Sequence, residues 1–294
     1  MAIVELNAAS RSGVAKLISS SHAKLMNLED VLPWSRGIDR ANGLPKPVEH
    51  CWLAGTSYMD ELTSAQLHDL LWLETARDIS MFITLEQTLP PLYINYINRD
   101  GDQMSPDVYE YMMIFSKEEI VHTLMFKRFM TLAGLPQFKP ADGLYELLMQ
   151  QLPGMRAEIG IACTLIVEWV AELAAMHASQ QPDIEPMVQQ LFYAHHVEEA
   201  RHIAFGRWVT ESYLENAPPQ QAGMLRAMVR GLMARMIPQF TYNPEIADYV
   251  TYAYPVARDD AKRIAEVRDS AANLTLNAVR FAPLYTWLKK LEIL

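Results

Sequence analysis

Cysteine is scarce in this sequence, and long uninterrupted apolar runs are missing. Only Cys51 and Cys163 occur among 294 residues, far apart and outside any C-x-x-C pattern. This argues against a disulfide framework, a zinc knuckle or an iron–sulfur cluster. The amino terminus, MAIVELNAASRSGVAK, lacks the apolar run of a signal peptide, and the most apolar stretch, IGIACTLIVEWVAELAAM, is interrupted by Glu168 and Glu172. We therefore expect a soluble, cytoplasmic protein with no membrane contact.

Positive charge is in the minority, since the formal net charge is −10. A protein of this charge repels phosphate, so nonspecific nucleic-acid binding is not expected. Arg226, Arg230 and Arg235 form a small basic stripe. We interpret it as a solvated helix face that pairs with acidic surface residues. A glycine-rich dinucleotide fingerprint is also missing, which argues against a built-in nicotinamide or flavin site.

The spacing of apolar residues is helical almost throughout, and we find no convincing pair of strands. T-S-A-Q from Thr63 has the form of a capping box, and Ser105-Pro106 places a cap before a proline at the first helical position. Asp183 is the predicted cap of a later helix. The predicted helices cover residues 13–27, 63–97, 105–134, 154–180, 183–216, 220–237, 244–253 and 258–292.

Four of these helices are long for a globular protein, at about 25–35 residues each. The first two are joined by a short turn, and so are the last two. Long helices joined in this way are typical of an antiparallel four-helix bundle. We predict an all-α bundle, with its core at about 63–216 and additional N- and C-terminal helices, in a single domain that spans residues 1–294.

The octet HHVEEARH, residues 195–202, contains three histidines and two adjacent glutamates. His195, Glu199 and His202 stand at i, i+4 and i+7, so they lie in one narrow sector of a helix. His196, Glu198 and Arg201 fall elsewhere around the helix. On its own, such a trio is more typical of a solvated charged face than of a metal site.

A second long helix repeats the motif. Residues 117–122 read KEEIVH and residues 197–202 read VEEARH, so both have the form E-E-x-x-H. Glutamate and histidine at i, i+3 share a helix face and can hold one metal ion or flank two. Apolar residues surround both motifs, and a buried carboxylate needs a partner such as a cation to offset its desolvation. The pair therefore predicts a metal site inside the bundle.

Two further glutamates lie at the depth of these motifs. Counted from the turn between the first two long helices, Glu86 and Glu119 are level to within one residue, roughly 1.5 Å. Counted from the turn between the other two, Glu168 is the counterpart of Glu199, with Glu172 one turn further away as an alternative ligand. Carboxylates and histidines together suit iron or manganese, and four carboxylates would neutralise two divalent ions.

Two other features of the first long helix bear on the site. Glu74 misses the depth of Glu119 by about 11 residues and is predicted to be structural or exposed. Pro90 has no N–H, so the carbonyl of Glu86 loses its helical hydrogen bond. Either the helix is locally unwound beside the site, or it ends there.

The order E … E-x-x-H … E … H-x-x-x-E-x-x-H resembles the p-aminobenzoate N-oxygenase (AurF-like) family of ferritin-like nonhaem diiron oxygenases. The resemblance covers roughly residues 50–215 and includes L-A-G-T-S-Y at 53–58. Beyond 215 nothing specific to the family is found. The resemblance implies seven metal ligands, one histidine more than the usual ferritin-like pattern: Glu86, Glu119, His122, Glu168, His195, Glu199 and His202.

The resemblance also implies an activity. Two iron ions, for which manganese could substitute, would activate O2 and N-oxygenate an amine of a small-molecule substrate to a hydroxylamine, nitroso or nitro group, in secondary-metabolite biosynthesis. The catalytic element would be the diiron centre itself. Since no dinucleotide fingerprint is present, electrons would come from a separate reductase or other external donor. A homodimer is expected.

Two more sets of residues complete the expected site. Glu118, Glu172 and Glu198 are candidate acceptors for the outer N–H groups of the ligand histidines, although exposure fits Glu118 and Glu198 equally well. The candidates for the substrate pocket, each equally compatible with plain core packing, are Met81, Phe82, Thr164, Leu165 and Phe205.

Three other functions remain open from the sequence. One is a diiron hydroxylase or desaturase that acts on C–H bonds of an acyl or carrier-bound substrate. His195 favours N-oxygenation over this, because the usual desaturase-like pattern has two histidine ligands. Non-enzymatic iron handling is less consistent with the long C-terminal extension. A metal-free helical scaffold does not explain six positions that agree in type, spacing and depth.

Overall fold

Helices dominate the computed structural model, which describes residues 3–139 and 142–294. Within these ranges no strand is formed, apart from one isolated bridge between Leu44 and Ile184. The α-helices are α1 (Ala8–Ala23), α2 (Ser64–Asp100), α3 (Pro106–Ala133), α4 (Asp142–Glu146), α5 (Ala157–Ser179), α6 (Pro186–Asn216), α7 (Pro219–Thr241), α8 (Ala261–Arg268), α9 (Ala271–Arg280) and α10 (Ala282–Lys290).

The bundle consists of α2, α3, α5 and α6. α2 packs along α3, and α5 packs along α6. Glu118 of α3 bonds to His202 of α6, while His122 bonds to Glu198, so α3 and α6 run antiparallel. Tyr93 of α2 bonds to Thr164 of α5 at 2.9 Å and ties the other side of the bundle together. The predicted all-α four-helix bundle, with added helices at both ends, is confirmed.

The ends of the long helices follow local sequence signals. At the start of α2, the Thr63 side chain accepts from the backbone N–H of Gln66, and the Gln66 side chain accepts from the N–H of Thr63, which is the predicted capping box. α3 starts at Pro106, where a missing N–H costs nothing. It stops at Gly134, whose φ of 61° is the left-handed conformation that favours glycine.

Several predicted boundaries are wrong. The first helix runs from Ala8 to Ala23 and not over 13–27. The cap of α6 is Glu185 and not Asp183, because the Glu185 carboxylate accepts from the N–H of Val188, whereas Asp183 has a φ of 66° in the preceding turn. The segment predicted as a helix over 244–253 forms only a 3-10 helix, Pro244–Asp248.

The predicted C-terminal helix over 258–292 is three short helices, α8, α9 and α10. Ser270 interrupts it, since its side chain accepts from the N–H of Asn273 and caps α9. Pro283 near the start of α10 removes the N–H that a continuous helix would need. Apolar periodicity alone did not reveal these local breaks.

α2 continues through Pro90 and Pro91 to Asp100, so the sequence-based alternative that it ends at Pro90 is wrong. α5 is long and apolar enough to span a membrane, but 89% of its most apolar window is buried inside the protein. It serves as a core helix of the bundle.

Glu74 and two arginines of α7 make contacts that the spacing of residues in the sequence did not indicate. Glu74 is fully buried, and its carboxylate lies 2.6 Å from the Nζ of the equally buried Lys46, so its role is structural. Arg226 and Arg230 donate to the carbonyl oxygens of Leu291 and Ile293. They hold the C-terminal residues against α7, and Arg226 also lies 3.9 Å from the exposed carboxylate of Glu292, so the predicted pairing with an acidic surface residue occurs at this position.

Gly160 of α5 allows α2 to approach closely. A Cβ at this position would lie 1.9 Å from the hydroxyl oxygen of Tyr96, which already donates to the carbonyl of Leu152 at 2.7 Å. We expect Gly160→Ala to lower the free energy of unfolding by about 1–3 kcal/mol through overpacking. Gly223 of α7 has open space where a Cβ would lie, so Gly223→Ala should raise the free energy of unfolding by about 0.5–1 kcal/mol. Chemical denaturation of both variants tests this, and shifts of the same sign would contradict it.

Candidate metal centre

All seven predicted ligand positions lie in the interior of the bundle, and six of them, all except Glu168, belong to groups of donor atoms that are close enough to hold a metal ion. Each long helix contributes at least one of them, and none is more than 4% exposed. α2 provides Glu86, α3 provides Glu119 and His122, α5 provides Glu168, and α6 provides His195, Glu199 and His202. The depth count from the two turns therefore placed these side chains at one level, as the helical rise requires.

One half of the cluster is centred on Glu86. Its Oε2 lies 3.2 Å from Nδ1 of His122, and its Oε1 lies 3.0 Å from Nε2 of His195. One donor atom from each of these three residues can be chosen so that all lie within 4.8 Å of one another, a spacing that could hold a metal ion. His195, the additional histidine of the sequence pattern, thus faces the same carboxylate as the histidine of the first E-x-x-H motif.

The other half joins the two E-x-x-H motifs. Nδ1 of His202 lies 3.0 Å from Oε2 of Glu199 and 2.7 Å from Oε1 of Glu119, although the second contact lacks the alignment of a hydrogen bond. Donor atoms of Glu119, His122, Glu199 and His202 also lie within 4.8 Å of one another. Since His122 belongs to both groups, the two possible metal positions are adjacent. The cluster is able to hold a metal pair.

The outer nitrogens of the two motif histidines are bound reciprocally. Nε2 of His202 is 2.8 Å from Glu118 of the other motif, and Nε2 of His122 is 3.0 Å from Glu198. Both carboxylates are buried, so the alternative that they are exposed is wrong. In each E-E-x-x-H motif the second glutamate faces the cluster, and the first fixes the ring of the histidine on the opposite helix.

Arg201, which the sequence placed outside the ligand sector of its helix, completes this arrangement. Its Nη2 lies 2.7 Å from Glu118 and 3.2 Å from Glu198, so one guanidinium links both carboxylates. The signal in the sequence was the i, i+3 spacing of Glu198 and Arg201. Burial opposes ionisation of Glu118, but bonds from His202 and the charge of Arg201 lower its pKa to about 2. Glu118 therefore remains a charged acceptor at neutral pH.

Glu172 and Glu168 have different surroundings. Both oxygens of Glu172 are engaged, one by Nδ1 of His195 at 3.0 Å and one by Nδ1 of His196 at 2.7 Å. Glu168 is buried, and its Oε1 has no hydrogen-bond partner in the described chain. His196, which the sequence placed outside the ligand sector, is half-buried and anchors Glu172 from the outer side.

The buried carboxylates strongly influence one another. Desolvation raises the pKa of Glu119 and of Glu168 well above the usual range, and the charges of neighbouring glutamates raise both further. Burial also opposes ionisation of Glu86, but the adjacent Glu119 carboxyl and hydrogen bonds from His122 and His195 hold its pKa well below the usual value. Both oxygens of Glu119 and one of Glu199 lack hydrogen bonds in the described chain. Four acidic groups in so little space are what a pair of divalent cations would neutralise.

Aromatic rings enclose the cluster. The ring centroids of Phe115 and His202 are 3.7 Å apart and stacked, and Phe82 and Phe126 each lie 5.1 Å from the ring of His195. These rings shield the inner nitrogens of His195 and His202 from water, which strengthens electrostatic interactions inside the cluster.

The predicted pocket residues are all buried, but they lie in different parts of the core and do not line one common pocket. Phe82 lies beside His195, and Thr164 bonds to Tyr93. Leu165 packs against Gly206, and Phe205 lies 4.9 Å from the ring of Tyr111. Met81 lines a cavity of about 450 Å³ together with residues of α4 and α7. Five residues separate Met81 from Glu86, roughly 140° around the helix, so this cavity lies on the other side of α2 from the cluster.

Solved structures support the fold. A variant of an R2-like ligand-binding oxidase with an aerobically reconstituted Mn/Fe cofactor has a TM-score of 0.59 and 12% sequence identity, with 95% of this chain and 93% of that chain covered. Another variant, with an Fe/Fe cofactor, has a TM-score of 0.57 and 13% identity and covers 95% and 92%. At this identity the likeness establishes the fold alone, a ferritin-like helical bundle.

Sequence comparison identifies the family. A comparison with curated proteins finds no match. The profile of the p-aminobenzoate N-oxygenase AurF family, by contrast, matches residues 8–282, which is nearly the whole chain and extends beyond the segment that carried the resemblance. The match agrees with a buried cluster of glutamates and histidines that can hold a metal pair. The chain therefore belongs to the p-aminobenzoate N-oxygenase (AurF) family and is an oxygen-dependent enzyme with a dinuclear iron centre.

Proposed function

We propose that the protein N-oxygenates an amine group of a small-molecule substrate in secondary metabolism. The observation that carries this proposal is the buried cluster that includes His195, at 3.0 Å from Glu86 in a chain of the AurF family. The extra histidine sets the pattern apart from the two-histidine pattern of desaturase-like enzymes. Acyl C–H oxidation is therefore the less favoured activity.

We further propose that the seven clustered side chains are the iron ligands. The donor set consists of carboxylate oxygens and imidazole nitrogens, which suit iron and manganese. The R2-like oxidases of the same fold carry Mn/Fe or Fe/Fe cofactors, so manganese in one position is compatible with this proposal. His122 and His202 would bind through Nδ1 and His195 through Nε2, because these nitrogens face the carboxylates.

The side chains around the proposed ligands orient the histidine rings. Each ligand histidine donates its outer N–H to a buried carboxylate: His122 to Glu198, His202 to Glu118, and His195 to Glu172. This fixes the tautomer and the orientation of each ring and makes the inner nitrogen a stronger ligand. Arg201 offsets the charge of two of these carboxylates. The three carboxylates, with Arg201 behind two of them, would therefore hold the histidine rings in position before metal binds.

Bound iron would supply oxygen activation, which the side chains alone cannot provide. The overall first step is R–NH2 + O2 + 2 electrons + 2 H⁺ → R–NHOH + H2O, and it needs an external two-electron donor. The enclosing rings of Phe82, Phe115 and Phe126 would exclude water, and Phe205, Thr164 and Leu165 remain our candidates for contact with the substrate.

The activity is tested with iron-loaded, chemically reduced protein, isotope-labelled O2 and a panel of aryl and alkyl amines. Mass detection should show one labelled oxygen atom on the nitrogen of at least one amine, and metal-free protein with the same reductant should give none. Products found only from acyl chains, with no amine product, would replace the proposal by C–H oxidation.

The choice between Glu168 and Glu172 as ligand gives a separate prediction. Glu168→Gln removes a buried carboxylate whose Oε1 has no hydrogen-bond partner in the described chain, so we expect it to lose about one iron ion per chain. Glu172→Gln keeps the shape of a residue that only orients His195, so it should retain two ions with affinity reduced about 10–100-fold. Iron content after desalting measures both, and the opposite order would make Glu172 the ligand.

A further inference from the structure

The α3–α6 side of the bundle is where the candidate metal centre lies closest to solvent. On the opposite side, α7 and α9 pack against α5, and residues 147–154 pack against α2. On the α3–α6 side, α1 packs toward one end, where His22 pairs with Glu110 and Gly13 lies against the ring of Trp208. At the level of the centre, one helix thickness, about 10 Å, therefore separates the ligands from the surface.

Large apolar side chains are exposed at this level. We call residues 113–127 of α3 and 190–207 of α6 the α3–α6 face. Four apolar side chains stand out from it, with exposures of 53%, 48%, 57% and 40%: Ile120, Leu124, Tyr193 and Val197. Ile120 directly follows the proposed ligand Glu119, and Val197 stands two positions after His195. Exposed apolar residues grouped in this way mark a site where another molecule binds.

The exposed charges of the α3–α6 face have one sign. Its acidic residues are all buried: Glu118, Glu119, Glu198 and Glu199. Lys117 and Lys127 are exposed and form no ion pair within the described residues. At the edge of the face, the charge of Glu29 is balanced by Arg128 at 3.0 Å. In a chain with a net charge of −10, this positive region is complementary to an acidic protein.

Hydrogen bonds connect the α3–α6 face to a ligand histidine. Arg201 donates to the backbone carbonyl of the exposed Val197 at 3.3 Å and to the carboxylate of Glu118 at 2.7 Å. The same carboxylate lies 2.8 Å from Nε2 of His202. Electron transfer through protein is faster along bonded contacts than across gaps, so the face is connected to the centre as well as near it.

We propose that the α3–α6 face is the docking site of a small acidic electron-carrier protein. The proposal rests on the proposed function only in its need for two external electrons per turnover. Two reduced carriers each lose one electron to the iron pair, and the two protons of the reaction come from solvent. An apolar centre bordered by lysines fits this partner, because electron-transfer interfaces are small and depend on charge for fast association.

Binding of a plant-type [2Fe–2S] ferredoxin tests the docking site without turnover. Titration calorimetry of the oxidised, iron-loaded protein with oxidised ferredoxin should show binding at about 50 mM salt that weakens toward about 300 mM. The variant with both Lys117→Glu and Lys127→Glu should bind at least about 10-fold more weakly at the lower salt. Lys289→Glu with Lys290→Glu, at exposed positions of α10, changes the net charge equally and should bind within about twofold of wild type.

Tyr193→Ala tests the apolar centre of the face. A large exposed aromatic ring is the kind of residue that anchors an interface, so its loss should weaken ferredoxin binding about 10-fold. The salt dependence should stay that of wild type, because no charge is removed. Tyr145→Ala is the control, since Tyr145 of α4 is 44% exposed and lies outside the face. It should bind ferredoxin like wild type.

Reduction rates separate docking from the chemistry at the centre. Reduced ferredoxin is mixed with the oxidised, iron-loaded protein, and its oxidation is followed by stopped-flow absorption. The variant with Lys117→Glu and Lys127→Glu should react at least about 10-fold more slowly than wild type. Dithionite with methyl viologen should reduce all variants at the same rate, because these small molecules need no docking site. Rapid electron transfer to wild type without any amine product would contradict the proposed function and still support the docking site.

Three results would overturn the docking proposal. One is a wild-type protein that neither binds nor oxidises ferredoxin. Another is an equal effect of the two lysine pairs, since binding would then depend on net charge and not on the face. The third is a changed sedimentation coefficient of the variant with Lys117→Glu and Lys127→Glu in the absence of ferredoxin, because the face would then contact a second copy of the chain.

Discussion

The iron-loaded protein is expected to unfold at a temperature on the order of 10 °C above that of the metal-free protein. Glu119 and Glu168 are buried without enough hydrogen bonds, and neighbouring carboxylates raise the pKa of both. A ligand present at about 1,000 times its Kd stabilises the folded state by about 4 kcal/mol per site. Two sites in a chain of this length correspond to a shift of that order.

The pH dependence of this shift has a definite sign. Because the pKa of Glu119 and of Glu168 is raised in the folded, metal-free protein, the folded state holds more protons than the unfolded state above the ordinary glutamate pKa, about 4.5. Folding stability of the metal-free protein therefore falls as pH rises through this window. Iron binding releases these protons and is favoured by high pH. The gap between the two unfolding temperatures should thus widen between about pH 5 and pH 7.

Glu119→Gln is the decisive variant for this prediction. It replaces an ionisable carboxyl by a neutral amide of nearly the same volume, so the metal-free form should unfold at a temperature no lower than that of metal-free wild type. Iron should raise the unfolding temperature of this variant less than that of wild type. Glu49→Gln, at an exposed position, is the control and should behave like wild type. Differential scanning calorimetry under anaerobic conditions measures all of these values. An iron effect that is the same in Glu119→Gln and wild type would contradict the role of Glu119.

Replacing His195 should abolish most oxygenation while the fold is retained. His195 lies 3.0 Å from Glu86 on one side and 3.0 Å from Glu172 on the other, inside a ring of phenylalanines. We expect His195→Ala to lower kcat/KM by at least about 100-fold, the loss that follows when a metal site is disturbed. Its circular dichroism should match that of wild type, because the helix has no need of the imidazole.

A graded series of histidine variants separates the ligand role from general damage. Within the described residues the His196 ring forms its hydrogen bond with Glu172, so His196→Ala should lower kcat/KM about 10-fold, near the lower end for a residue that orients a ligand from outside. His22, on the surface of α1, should be without effect when replaced by alanine. If His195→Ala kept full activity, the assignment of a seventh ligand would be wrong.

The seven candidate ligands could be predicted from the sequence more completely than the residues that contact them. The seven positions could be found because a helix places i, i+3 and i+7 on one face and because depth in a bundle can be counted from a turn. Glu118 and Glu198 remained ambiguous, because their burial depends on the rotation of α3 relative to α6, which no single helix encodes. The linking role of Arg201 follows from the same inter-helix geometry.

Long-range contacts account for the other differences. Glu74 has its partner Lys46 in the irregular segment before α2, and nothing in the spacing of either residue indicates the other. Arg226 and Arg230 bind C-terminal carbonyls 65 and 63 positions away, so a stripe that is typical of a solvated face also makes tertiary contacts that its spacing does not indicate. The breaks at Ser270 and Pro283 were visible as local signals, but the apolar periodicity outweighed them in the prediction.

The most direct measurement of the central claim is the number of iron ions that the folded chain retains. The protein is reconstituted with ferrous iron without oxygen, desalted and analysed for metal and for protein in the same sample. The account predicts two ions per chain in wild type, and far fewer in a variant that combines Glu119→Gln with Glu199→Gln, whose oxygens lack hydrogen bonds in the cluster. A well-folded wild type that retains far less than two ions, or a double variant that retains as many as wild type, would contradict it.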